Sequence, residues 1–87
     1  TERVRWLIPG MVARKRKPAK KALAENLLRL RGEQGLSQRG LAAAASVRQS
    51  LVSAIELETA NPTLSSIESI ADALGVVAGE LLLPFSD

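Results

Sequence analysis

The stretch "ASVRQSLVSAIE", residues 45–56, decides how the rest of the chain is read. Leu51, Val52 and Ile55 fall at helical spacing and mark one apolar face of a short helix. Arg48, Gln49, Ser50 and Ser53 occupy the remainder, and all carry side chains that hydrogen-bond. A helix this short does not hold itself together in water, so its neighbours must pin it by the apolar face. Its polar side is then left for something outside the protein.

Working outward, Ala45-Ser46-Val47 is a tight turn, and the segment before it is a second short helix. Ser37 can cap that helix, with Leu41, Ala42 and Ala45 facing inward. Gly40 sits in its third position, at a cost on the order of 1 kcal/mol relative to Ala. Upstream, Leu23, Leu27 and Leu30 recur at i, i+4 and i+7, the stripe of a first helix over 19–33 that Gly32 and Gly35 bring to a stop. Downstream of a helix end near Leu57, residues 58–62 read as a loop. A fourth helix follows, capped by Thr63 or by Ser65, the latter with Glu68 as a capping box. Leu64, Ile67, Ile70, Ala71 and Leu74 form its buried stripe, and Gly75 ends it. Val76 to Leu83 is a fifth short helix before Pro84. No internal repeat is present, and nothing after Pro18 reads as a strand.

Composition narrows the chemistry. The chain has 87 residues, enough for one domain with a compact core, and it contains neither Cys nor His. Disulfides, thiol chemistry and His or Cys metal sites are excluded, and the commonest general base is missing. Carboxylates are scattered over different helices, so no enzyme constellation and no cofactor site emerges. No apolar run approaches the roughly 18–20 residues of a membrane span, and Trp6-Leu7-Ile8 is too short for a secretory signal. A soluble cytoplasmic protein, with no membrane partner, is the expectation.

Charge is divided sharply along the chain. Residues 1–21 carry eight Lys or Arg against Glu2 alone, a net +7, whereas residues 22–87 carry four Arg against eight acidic residues, a net −4. A basic arm joined to an acidic globule points to an anionic partner for the arm. Within the arm "VRWLI" could pair as a short strand, Pro9-Gly10 breaks it, and "ARKRKPAKK" is too charged to bury. Met11 is a candidate natural start, with Trp6-Leu7-Ile8 then packing or added residues. The boundaries read as a basic, partly disordered arm over 1–21 and a folded domain over 22–85.

Two short helices joined by a minimal turn make a helix-turn-helix. In that arrangement the second helix is anchored by its apolar side and enters a DNA major groove about 12 Å wide. On a helical wheel Ser50, Ser53 and Leu57 lie opposite the apolar face, Gln49 and Ala54 flank them, and Arg48 is at the tip. Gln pairs bidentately with adenine and Arg with guanine. Taken alone, Gln and Ser are equally what a solvated helix face carries.

The order of motifs decides the matter. "LLRLRGEQGLSQRGLAAAASV", then "LVSAIE", "NPTL" and "SIADALGV", resembles the Cro/CI-type helix-turn-helix proteins, the XRE family, over about residues 22–83. The resemblance implies an all-α, five-helix, lambda-repressor-like domain that binds double-stranded DNA. It implies that Gln38 bonds a phosphate and props the recognition helix. By the same resemblance Arg48, Gln49, Ser50, Ser53 and Ala54 read bases or line the groove, and Asn61 approaches the backbone. Arg39 and the arm residues Arg14, Lys15, Arg16 and Lys17 are expected to add phosphate contacts. Arg31 and Glu56 match a pair that bridges helices one and three. The chain departs from the family where Ser46 and Glu58 replace usual glycines, where Arg48 replaces a small capping hydroxyl, and where Ala54, Leu57 and Thr59-Ala60 replace polar or basic residues.

The expectation is a repressor that binds a near-palindromic operator as a homodimer, with Leu81, Leu82, Leu83 and Phe85 as the dimer patch. It acts in the cytoplasm, on the nucleoid when DNA-bound. The alternative is a protein-binding module, such as an antitoxin with a toxin-like or regulatory partner, which the acidic globule and Leu57 favour.

Overall fold

Pro18 opens the part of the chain that the computed structural model describes, residues 18–84. Within it the helices are α1 Ala19–Glu33, α2 Gln38–Ala45, α3 Gln49–Glu56, α4 Leu64–Leu74 and α5 Ala78–Leu82, with no strand among the described residues. The domain is all-α, as its periodicity predicts. The "VRWLI" segment, the arm cations Arg14 to Lys17 and Phe85 lie outside the described residues. Lys20 and Lys21, grouped with the arm by charge, belong to the first turn of α1 and are exposed.

The core is the meeting of the apolar stripes. Leu23 and Leu27 of α1, Leu41 of α2, Val52 and Ile55 of α3, Ile67, Ile70 and Leu74 of α4 and Leu81 of α5 are buried in one cluster. Leu30 and Leu51 pack at its edge. α2 lies against α3 and α4, α1 against α3 and α5, and α5 closes on α4. α3 is thus wedged between α1 and α2, with only its outer side open.

Four helix ends share one device. In each, the residue after the turn's pivot donates back over a six-residue span, and the pivot itself makes the shorter bond. The long bonds run from Leu36 N–H to Arg31 O, Val47 to Ala42, Thr59 to Ala54 and Val76 to Ala71, at 2.9–3.0 Å. The pivot of each turn has positive φ: Gly35 and Gly75 at α1 and α4, but Ser46 (φ 58°) and Glu58 (φ 63°) at α2 and α3. A side chain in that region costs about 1–2 kcal/mol. The turn of the helix-turn-helix and the exit from α3 are therefore built on strained residues held by their backbone bonds.

Four expectations are corrected. Leu64 is 74% exposed and takes no part in the buried stripe, which begins at Ile67: it is the first residue of α4 and lies outside the core. The cap of α4 is Thr63, whose Oγ1 accepts from Ser66 N–H at 3.0 Å; the helix starts at Leu64, so Ser65 is already inside it and forms no capping box. α5 is shorter than 76–83, since Val76 closes the α4 turn and Leu83 is extended. Leu81 is fully buried and so is lost to any dimer patch, while Leu83 remains 62% exposed.

Two polar residues are unanticipated. Asn26 stands in the apolar stripe of α1, three residues after Leu23, and is only 1% exposed. Its Nδ2 donates to Leu81 O at 2.9 Å and Leu83 O at 2.7 Å, and its Oδ1 accepts from Arg29 Nη2 at 3.1 Å. A polar side chain here serves the orphan carbonyls at the end of α5, which buried apolar neighbours leave without partners. Gln34 does the same for α4, donating from Nε2 to Leu74 O at 2.8 Å.

Candidate nucleic-acid interface

The position of α3 is fixed by its buried side and by its rear. Val52 and Ile55 enter the core. One turn from the core, Glu56 turns its carboxylate back into the protein: Arg31 Nε donates to Oε2 at 2.7 Å and Arg31 Nη2 to Oε1 at 3.0 Å. Gln38 Nε2, from the first residue of α2, donates to Oε1 at 2.8 Å. Arg31 Nη1 also donates to Leu36 O at 2.9 Å, in the α1–α2 loop. A single carboxylate thus joins α1, α2 and α3. The hydrogen bond that Arg31 donates to Glu56 raises its guanidinium above its ordinary pKa, against the opposing effect of its partial burial. The paired geometry is the bidentate form that favours Arg over Lys.

At the front of α3 the arrangement is the reverse. Arg48 is the N-cap, in extended backbone, and its side chain makes no cap hydrogen bond. Arg48, Gln49 and Ser50 are exposed, and Ser53 and Ala54 are half-buried along the same side. A shallow depression of about 450 Å³ runs between this tip and α4, lined by Val47, Arg48, Ser50, Leu51 and Ser66. The first turn of α3 therefore presents backbone N–H groups, a guanidinium, an amide and a hydroxyl together. Such a surface donates to base edges and to phosphate.

The remaining sequence-predicted residues are spread around it. Gln38 has its amide nitrogen committed to Glu56, in the propping role the resemblance implies. Arg39 is exposed on α2. Asn61 is exposed in the α3–α4 loop, beside Pro62 and the first turn of α1, where Ala19, Lys20 and Leu23 line the adjoining groove. Sequence reading missed Asn26 and Gln34, which set the ends of α5 and α4. A polar residue interrupting an apolar stripe was the available signal for Asn26.

Residues 27–81 match the family HTH_3, described as helix-turn-helix. The chain belongs to the XRE-type helix-turn-helix family of DNA-binding transcription regulators. It is 45% identical over 62 residues to a hypothetical transcription factor of Neisseria meningitidis serogroup B, covering 71% of this chain and 58% of that protein. An uncharacterized HTH-type transcriptional regulator of Sinorhizobium fredii, y4dJ, is 37% identical over 65 residues, which is 75% of this chain and 84% of the relative. Among solved structures, the hypothetical transcription factor NHTF from Neisseria superposes with a TM-score of 0.74 at 42% identity, covering 77% of each chain. The restriction-modification controller protein C.AhdI from Aeromonas hydrophila superposes at 0.68 and 32% identity, over 71% of this chain and 94% of that one. The paired helices of the helix-turn-helix are α2 and α3. None of the described helices is long and apolar enough to cross a membrane.

Proposed function

We propose that this XRE-type chain binds operator DNA in a sequence-specific manner as a homodimer and represses transcription, acting in the cytoplasm on the nucleoid. The observation that carries this reading is the exposed front of α3, with Arg48, Gln49 and Ser50 free to reach out from a helix whose rear is tied by Glu56 to two neighbours. Those three residues carry sequence choice, with Ser53 and Ala54 lining the groove. Gln38, Arg39 and Asn61 set register on the sugar–phosphate backbone, which positions without specifying. The arm cations Arg14, Lys15, Arg16 and Lys17 supply most of the salt-dependent affinity. Two copies place their α3 helices about one helical turn apart, roughly 34 Å, on a near-palindromic site. Leu83 contributes to the self-complementary surface.

Salt-dependent binding of the intact chain and of a chain lacking residues 1–17 tests the reading, on DNA from upstream of the protein's own gene and on a scrambled duplex. Preference for the upstream DNA, with a flatter salt slope after deletion, is the expected result. Equal binding to both duplexes that vanishes with salt overturns sequence-specific regulation. An unchanged slope removes the arm from the interface.

A further inference from the structure

The groove-facing side of α3 changes character along its length. Its first turn offers Arg48, Gln49 and Ser50, its middle the small residues Ser53 and Ala54, and its end Leu57. Leu57 is 69% exposed although it is large and apolar. Its N–H still donates to Ser53 O at 3.0 Å, so it holds a helical position rather than turning away with the loop. Seven residues complete about two turns, which sets Leu57 within about 20° of the row that begins at Ser50. The neighbouring Glu56 is turned inward by Arg31 and Gln38; Glu58, which follows Leu57, is exposed but sits at positive φ where the chain leaves the helix, and Thr59-Ala60 beyond adds no charge. The row therefore ends on an alkyl side chain, its polar members Ser53 and Ser50 standing one and two turns earlier.

A major groove offers one apolar feature, the 5-methyl group of thymine, and its other edges are hydrogen-bonding atoms that an alkyl group can only desolvate. We propose that Leu57, with Ala54 one turn before it, is a specificity-determining residue that selects 5-methylpyrimidines at the base pairs under the C-terminal half of α3. This rests on the operator-binding reading above. Leu57 continues the same exposed row as the polar tip, and the small side chains at 53 and 54 leave room for close approach. The half-site is then read in two chemistries: hydrogen bonds at the N-terminal end of the helix and methyl contact at the other. Thymine and 5-methylcytosine share that chemistry.

The test replaces one methyl at a time. A preferred duplex is first selected from a random pool with the full chain, and each thymine in it is then changed to deoxyuridine, which removes only the methyl. Loss of about fourfold in affinity is expected at one or two positions in each half-site, from the worth of a buried methyl. The same replacement is expected to change binding of Leu57→Ala less than about twofold, whereas Leu57→Met retains the sensitivity. Cytosine and 5-methylcytosine at those positions separate the two sources: gain with 5-methylcytosine assigns the preference to the methyl alone, and no gain confines it to thymine. Deoxyuridine costs that are equal in the native chain and in Leu57→Ala overturn the assignment while leaving operator binding intact. Failure to select any preferred duplex overturns both. Circular dichroism of Leu57→Ala, expected to match the native chain because the side chain is exposed, keeps folding out of the result.

Discussion

The two ends of α3 are held in opposite ways. At its C-terminal end, Glu56 accepts from Arg31 and Gln38, and the backbone closes a six-residue turn onto Ala54. At its N-terminal end, Arg48 occupies the cap without capping, and the exposed side chains of Gln49 and Ser50 follow directly. A helix of 8 residues has too few internal bonds to be stable alone, so its stability must come from one side and one end. The contrast teaches that rigidity is concentrated at the rear so that the front is free of obligations within the protein. The same division runs between the two αL residues and the glycines: strain at Ser46 and Glu58 flanks α3, while Gly35 and Gly75 close the helices away from it.

The rear can be broken first. Glu56→Ala leaves a partly buried guanidinium and the Gln38 amide without their acceptor, and a loss of about 3 kcal/mol is expected in urea unfolding. The double variant Arg31→Met, Glu56→Leu is expected to recover most of it, because the pair is a positioning device rather than a large net source of stability. A single variant as stable as the native chain would mean that the core alone holds α3.

The front is probed by Gln49→Ala. Discrimination at one base pair is expected to fall by about 1–3 kcal/mol, measured by competition between matched and substituted duplexes, with stability unchanged. Uniform weakening on every duplex would place Gln49 on the backbone instead.

Arg48→Ser sharpens the comparison by giving the front the cap it lacks. Stability is expected to rise by about 0.5–1 kcal/mol as the serine hydroxyl accepts from the first turn, while operator affinity falls. A rise in both would remove Arg48 from the interface. The smallest effect is expected of Ser46→Gly, which relieves the positive φ in the turn at the cost of a more flexible unfolded chain. A net gain near 0.5 kcal/mol, read from the urea midpoint, and unchanged DNA preference are expected.

Much of this was legible in the residues. The apolar stripes placed all five helices, and the Arg31–Glu56 pair and the propping Gln38, taken from the family resemblance, are formed. Leu64 was misplaced because hydropathy alone cannot say at which turn a helix meets its neighbour. Ser65 with Glu68 was a sound local pattern for a helix starting two residues later, and Thr63 displaced it by capping the first turn two positions earlier.

What the sequence by itself determined is local: helical periods, the Ser37 and Thr63 caps, the turns at Gly35 and Gly75. These depend on residues three to six positions apart, whose geometry is set as soon as the helix forms. Only the tertiary structure decided that Asn26 closes the end of α5, 55 residues along the chain, and that Gln34 closes α4, 40 residues along. It also decided that Leu81 goes inside and Leu83 outside. Such pairings depend on which carbonyls the packed core leaves buried and without a partner, and that is a property of how the helices meet rather than of any one of them.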